Sequence, residues 1–253
     1  MKKTTAVIIG NTHHELMKFS IESTLKNIDC EDIMVFSNRD VLGYGQYFPI
    51  KDDFTLNDYN LFCLKGLWPY IKTEFALIIQ YDGIAANRSA WNDEFYNYDY
   101  IGAPWPDRFS WIKPTEKVGN GGFSLRSAKL LDALKDYQIR IHEGDNRLGA
   151  EDSIIGQGYK SYLSSKYGIK YPSVELANQF SHEWCNPTGE SFGFHGVWNV
   201  PLFFDENTTI EYVLDIPTTY WYNDRYHAFM ENCTKRGYQN AMQTLIDKLM
   251  LTK

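Results

Sequence analysis

The chain has little of what marks several large classes of protein. Its four cysteines, Cys30, Cys63, Cys185 and Cys233, are scattered, with no C-x-x-C pair and no Cys/His spacing of a zinc site. A reduced, cytoplasmic chain without a structural metal is therefore expected. No apolar run approaches the roughly 20 residues needed to span a bilayer. No cluster of five or more basic residues occurs, and 25 Lys and Arg against 32 Asp and Glu leave a net charge of −7. Phosphate affinity comes mainly from clustered Lys and Arg, so a general nucleic-acid binder is disfavoured. Neither G-x-G-x-x-G nor G-x-x-x-x-G-K-[ST] is present, and the dinucleotide and P-loop motifs are thus missing. There is no internal repeat and no low-complexity linker.

What is present fits one α/β domain, or a domain with a small appendage, in 253 residues. Met-Lys-Lys followed by Ala6 to Gly10 has only about half to two-thirds of a signal peptide's apolar stretch, and Asn11-Thr12-His13-His14 follows at once. Thr5 to Gly10 instead reads as a strand buried on both faces. Leu16, Phe19, Ile21 and Leu25 recur at roughly helical spacing, and Asp32 to Phe36 is a second strand. This β-α-β opening predicts a mixed, mostly parallel sheet flanked by helices. A helix is expected from Asn57 to Tyr70, stopped near Trp68-Pro69, then the most apolar strand, Glu74 to Gln80. Asp99 to Gly102 is a further short strand. Ala103 to Val118 is a long loop holding Trp105, Trp111 and three prolines, and loops of that length are uncommon unless they bind or cover something. Gly119 to Ser127 leads into a helix near Ala128 to Tyr137, Glu151-Asp152 begins another, and Phe192 to Gly196 reads as a short strand and turn. After Asn207 the pattern is helical. Arg236 to Leu251 forms an amphipathic closing helix whose stripe points to core packing rather than a membrane anchor.

Four places carry residues suited to chemistry. Asp82 follows the carboxyl end of a buried strand, where open α/β sheets bind ligands. It is placed to hold a divalent cation that neutralises a diphosphate, although Asp82-Gly83 is equally a turn dipeptide. Asn120-Gly121-Gly122 permits close approach of backbone to a ligand, or is an ordinary turn before a helix. Glu151-Asp152 suits a helix N-terminus, or supplies a general base. His195, set between Gly193 and Gly196 in Gly193-Phe194-His195-Gly196, is either a ligand for Mn or Zn or a buried structural histidine. His13, His14, His142, His182 and His227 default to structure or surface. The 7 Trp, 18 Tyr and 15 Phe offer sugar-stacking faces, and Trp105, Trp111 and Trp184 are the ones placed near a ligand.

In order, Ile79-Gln80-Tyr81-Asp82, Tyr98 to Trp105, Gly119-Asn120-Gly121-Gly122-Phe123-Ser124-Leu125-Arg126-Ser127, Glu151-Asp152 and Phe192 to Gly196 resemble a bacterial and fungal family of glycosyltransferase-like domains of unassigned specificity. That family is related to the GT-A glycosyltransferases, and the similarity covers roughly residues 5 to 200. The resemblance implies a GT-A-like, Rossmann-like sheet in residues 1–205, with a helical extension packed on it in 206–253. It implies a nucleotide-sugar donor, UDP by default, a glycan acceptor, and Mn²⁺ or Mg²⁺ held by Asp82 and His195. Gln80 stands where GT-A enzymes carry the first Asp of Asp-x-Asp. Gly10, Asn11, Thr12, Ser37, Asn38, Arg39, Gln80, Tyr81 and Asp82 would meet the donor, and Trp105, Asn120, Gly121 and Gly122 the sugars. Of the acidic pair, Asp152 would be the inverting base, with Glu151 beside it. The implied role is polysaccharide biosynthesis from the cytoplasmic side, with room for peripheral membrane association. Two other classes compete. A catalytically inactive glycan-binding module fits the aromatic content. A sugar-phosphate nucleotidyltransferase shares the architecture, but Gly10 to Glu15 contains no Arg and only Lys18 is nearby.

Overall fold

The computed structural model describes residues 2–113, 115–141, 149–185 and 189–251, so His142 lies outside the described residues. The chain divides into two compact units, Met1–His195 and Gly196–Lys253. The first opens with β1 (Thr4–Ile9), α1 (His14–Asn27), β2 (Asp32–Ser37) and β3 (Gln46–Pro49). α2 (Leu56–Leu61), β4 (Phe75–Ile79), β5 (Gly83–Ala85), β6 (Tyr100–Gly102) and β7 (Phe123–Ser127) follow. It continues through α3 (Ala128–Ala133), α4 (Glu151–Ser153), α5 (Lys160–Tyr167) and α6 (Val174–Phe180) to β8 (Ser181–His182) and β9 (Gly193–His195).

Six strands form one sheet in the order β3-β2-β1-β4-β7-β6, in which β7 is antiparallel to both β4 and β6 and the other pairings are parallel. The fold is therefore the expected α/β type. All six residues of β1 and all five of β4 are buried, because helices cover both faces. The period-2 alternation sorts their side chains. Ala6, Ile8, Leu77 and Ile79 pack with Met17 and Ile21 of α1 and with Ala177 and Phe180 of α6. Val7, Ile9, Ala76 and Ile78 pack on the other face with Leu130 and Leu131 of α3 and Leu163 of α5. From β1 the chain moves outward through β2 and β3, and β4 then returns to β1's other side. The carboxyl ends of β1 and β4 thus flank a topological switch point, where open α/β sheets bind ligands.

A second sheet, β5-β9-β8, is small but decisive for the site. Antiparallel pairing sets Gly83 opposite His195, and parallel pairing sets His182 opposite Phe194. Asp82 precedes Gly83 and Glu183 follows His182, so three polar side chains arrive at one end of this sheet.

Several boundaries differ from the sequence reading. The helix expected over 57–70 is α-helical only to Leu61, widens to a π turn over Phe62–Gly66 and ends in a turn at Trp68 to Tyr70. The segment expected simply to lead into a helix contains β7, and α3 stops at Ala133 rather than Tyr137. In the turn that follows, Lys65 Nζ donates to the carbonyls of Leu134 at 2.5 Å and Asp136 at 2.7 Å. The loop after β6 is pinned by a bridge between Pro104 and Val118 and by Trp105 N donating to Lys117 O at 2.7 Å.

The second unit holds α7 (Val200–Phe203), α8 (Glu206–Asp215), α9 (Asp224–Arg236) and α10 (Gln239–Met250). The expected closing helix begins later than Arg236, because Gly237 adopts φ 73° and terminates α9. Glu206 accepts from the N–H groups of Asn240 at 2.6 Å and Ala241 at 3.1 Å, capping α10. Among the described residues, no helix is long and apolar enough to cross a membrane.

Candidate functional site

The site grows from the two strand ends. A cavity of about 310 Å³ lies at the carboxyl ends of β1 and β4, lined among others by Gly10, Asn11, Thr12, Tyr59, Gln80 and Tyr81. Ser20 Oγ on α1 donates to Tyr81 O at 2.6 Å, and Asn11 Nδ2 donates to Asp52 O at 2.7 Å, so both rims are tied down. His13 caps α1 with φ 55°, an uncommon conformation for a residue with a Cβ, and its ring lies 4.6 Å from Tyr81.

Beyond Tyr81 the small sheet gathers the charged groups. His195 Nε2 lies 3.5 Å from Asp82 Oδ1 and 3.3 Å from Gln80 Oε1, while Nδ1 lies 3.1 Å from Glu183 Oε1. Asp82 and Glu183 are buried and His195 is half-buried. Burial works against a charged imidazole. The flanking carboxylates of Asp82 and Glu183 outweigh it and raise His195 to about 10.

Asn120-Gly121-Gly122 connects this cluster to the acidic pair. Asn120 Nδ2 donates to Glu183 Oε1 at 3.1 Å, and Gly122 N donates to Asn120 Oδ1 at 3.1 Å. Gly121 N donates to Asp152 Oδ2 at 3.1 Å, and Ser153 N to Asp152 Oδ1 at 2.6 Å. The glycines are required by space. A Cβ on Gly121 would lie 2.3 Å from Glu151 Oε1, and one on Gly122 would lie 2.1 Å from His195 Nε2. Gly122→Ala is accordingly expected to cost about 1–3 kcal/mol, the range for overpacked interiors, read from the denaturant midpoint.

The two carboxylates of the pair have different surroundings. Glu151 Oε1 accepts from Arg126 Nη2 at 2.6 Å, and both side chains are buried. Arg126 Nε also donates to Ser124 Oγ at 3.1 Å, and the backbone N–H of Glu151 donates to Asn60 Oδ1 at 3.3 Å. Among the described residues Asp152 has no direct ion pair, although the Arg126 charge nearby favours its ionised form. Burial first, and the neighbouring Glu151 second, push its carboxyl up to about 7 against the lowering effect of the Gly121 and Ser153 amides. A carboxylate of that basicity is matched to accepting a proton near neutral pH.

The structure therefore brings Gln80, Tyr81, Asp82, Asn120, Gly121, Gly122, Glu151, Asp152 and His195 together, with Gly10, Asn11 and Thr12 around the adjoining cavity. It does not place Ser37, Asn38 or Arg39 among the residues lining that cavity. Ser37 is buried, Arg39 is exposed, and Asn38 Oδ1 lies 2.7 Å from His14 Nε2. Trp105 is buried, its ring occupying the space a Cβ on Gly119 would need, and lies 5.4 Å from the Trp111 ring. Trp184 is half-buried beneath the Arg108 guanidinium at 4.7 Å. Glu183, Arg126 and Asn60 were not singled out by the sequence. Arg126 carried the only available signal, a charge inside an otherwise apolar-alternating Phe-Ser-Leu-Arg-Ser run.

A family described as a protein of unknown function, DUF5672, matches residues 47–195, and the chain belongs to it. No curated protein matches. Among solved structures, the galactosyltransferase LgtC in complex with donor and acceptor sugar analogues aligns at 13% identity and a TM-score of 0.49, over 91% of this chain and 95% of that one. The bifunctional IspDF from Campylobacter jejuni aligns at 13% identity and a TM-score of 0.40, over 69% of this chain and 51% of that one.

Proposed function

We propose that the protein is a metal-dependent glycosyltransferase, moving a sugar from a nucleoside-diphosphate donor, UDP by default, to a hydroxyl of a glycan or other acceptor. One observation carries the reading. The cavity at the β1/β4 switch point shares Gln80 with the Asp82–His195 cluster, and Asn120-Gly121-Gly122 joins that cluster to a carboxylate raised to about 7.

The residues fit a divalent cation. Among the described residues no three His, Cys, Asp or Glu side chains form a group that could hold a metal on their own. Asp82 Oδ1 and Gln80 Oε1 nevertheless lie within 3.5 Å of His195 Nε2. A small set of carboxylate, amide and imidazole donors completed by substrate phosphates suits Mg²⁺ or Mn²⁺ at nucleotide sites. Asp82 and His195 would hold the ion, which neutralises charge developing on the departing diphosphate.

The chain's own residues do the remaining work. The cavity walls at Gly10, Asn11, Thr12, Gln80 and Tyr81 bind and orient the nucleotide. Asp152 accepts the proton of the acceptor hydroxyl. The acceptor oxygen bonds to the anomeric carbon from the face opposite the leaving group, and the bond to the diphosphate oxygen breaks with its electron pair, giving inversion. Gly121 N–H fixes the rotamer of Asp152. In this reading residues 1–205 form the transferase domain, residues 206–253 are a helical extension, and the glycan is extended from the cytoplasmic side.

A thermal-shift screen against UDP, GDP, CDP and their sugars, with and without Mn²⁺ or Mg²⁺, tests the reading. A ligand present at about 100 times its Kd stabilises the fold by about 2.7 kcal/mol. For a chain of this size that corresponds to roughly 5–10 °C. One nucleotide is expected to give such a shift only with metal, and Asp82→Ala to abolish it. No shift with any nucleotide in a folded sample would favour a glycan-binding module.

A further inference from the structure

His195 makes opposite use of its two ring nitrogens. Nε2 faces Asp82 and Gln80, the donors of the proposed cation site, whereas Nδ1 faces Glu183 Oε1 at 3.1 Å. That carboxylate is buried, and it is held from the other side by Asn120 Nδ2 at 3.1 Å. Asn120 is itself oriented, because its Oδ1 accepts the Gly122 N–H at 3.1 Å. The amide of Asn120 therefore has its oxygen and nitrogen assigned by two independent partners. The result is one chain of polar contacts: Gly122 N–H to Asn120, Asn120 to Glu183, and Glu183 to His195.

The small sheet explains why Glu183 arrives there. His182 pairs with Phe194 in parallel register, so the residues after them, Glu183 and His195, stand side by side at one end of the sheet. Asp82 enters from β5, whose Gly83 is opposite His195. The three side chains thus stand in a row with the imidazole in the middle. This arrangement explains why they do not surround a common point as a three-ligand cage does.

We propose that Glu183 is the positioning residue of His195: it accepts the Nδ1 proton, fixes the ring plane, and so presents Nε2 to a divalent cation beside Asp82, with Asn120 holding Glu183 in place. A metal-bound histidine generally gives its other ring N–H to such an acceptor, and loss of the acceptor weakens metal binding. The inference assigns Asn120 to this support rather than to sugar contact, and it rests on the metal-dependent reading of the site.

The test uses the full chain and Mn²⁺ alone, with bound ion read from the loss of the free Mn²⁺ electron paramagnetic resonance signal. Glu183→Ala is expected to weaken Mn²⁺ binding about 10–100-fold. Glu183→Gln, whose amide oxygen still accepts from Nδ1 and Asn120, is expected to restore most of the affinity, and Asn120→Ala to fall between. Melting temperatures are recorded for each variant. A lower melting temperature with unchanged Mn²⁺ affinity in Glu183→Ala would show a merely structural role and overturn the proposal. Equal losses in Glu183→Ala and Glu183→Gln would overturn the positioning role as well. If the wild-type chain takes up no Mn²⁺ either alone or with a nucleoside diphosphate present, the metal-dependent reading fails and this proposal with it; if the wild type binds Mn²⁺ and every variant binds it equally well, this proposal alone fails.

Discussion

Asp152→Asn is expected to lower sugar transfer by about 10²–10⁴-fold, the usual contribution of a positioned general base, with donor affinity retained. The variant's amide oxygen keeps one of the two backbone N–H bonds, from Gly121 or Ser153, so the shape is nearly conserved while the basicity is removed. In the wild type, transfer should rise with pH and level off above a midpoint near the raised value of about 7, since only the ionised carboxylate accepts a proton. Stability should move the other way. A carboxyl whose folded-state pKa is raised above its unfolded value binds more protons folded than unfolded. Its contribution is full below the unfolded value of 3.8 and is lost as pH rises through about 7. At about 1.4 kcal/mol per unit, the loss across that window is a few kcal/mol. Asp152→Asn should flatten this part of the curve of melting temperature against pH. Its amide nitrogen would face one of the two backbone donors, which offsets part of the gain at pH 8. An unchanged slope in the variant would exclude Asp152 as the titrating group.

Arg126→Met carries the second large effect, on stability. Arg126 and Glu151 are buried together, and removing one partner strands a charge at a typical cost of about 3–5 kcal/mol. In a chain of this size that is a fall of roughly 6–20 °C in melting temperature. The guanidinium is fully buried, lies 5.5 Å from the Tyr100 ring, and also touches Gly121 O at 3.4 Å, so the segment carrying Asn120 and Gly122 loosens with it. The double variant Arg126→Met with Glu151→Gln leaves no uncompensated charge and should recover most of the loss. Calorimetry on the single and double variants checks this. A single variant costing less than about 1 kcal/mol, the range of an exposed pair, would mean that the pair is not holding the site.

The division of labour within Glu151-Asp152 follows from these environments. Adjacent carboxylates look equivalent in sequence. One is committed to a buried cation from β7, and the other lies against two amides at the edge of the glycine segment. Asn60 on α2 anchors the start of this segment, donating to Gly149 O at 3.1 Å and accepting from Glu151 N. The π segments over Phe62–Gly66 and Ile154–Gly158 follow α2 and α4 directly, and such widened turns are common near functional sites.

The parts of the fold legible in the sequence are those specified locally. β1 and β4 are continuous apolar runs because helices cover both faces of a parallel sheet, and the β-α-β opening fixed the switch point between them. β7 was hidden because its short Phe-Ser-Leu-Arg-Ser run carries a buried charge, whose carboxylate partner Glu151 lies 25 residues later. The turn after α3 is held by Lys65, from the π turn that follows α2, which donates to the carbonyls of Leu134 and Asp136. In the site, Asp82 and His195 could be selected from their flanking residues alone. Glu183 could not, since its place beside His195 depends on the β8–β9 register. The far wall of the cavity, Phe54 to Tyr59, is equally silent in sequence because α2 reaches β1 and β4 only through tertiary packing.

The most direct test of the central claim is product analysis with the purified chain, a panel of nucleotide sugars and Mn²⁺, comparing wild type with Asp152→Asn and with a chelator-treated sample. The account predicts release of a nucleoside diphosphate from one donor, raised by a hydroxyl acceptor, lost with the chelator and strongly reduced in Asp152→Asn. Release of pyrophosphate from a nucleoside triphosphate and a sugar phosphate, with no diphosphate released from any nucleotide sugar, would contradict it and make the site that of a nucleotidyltransferase.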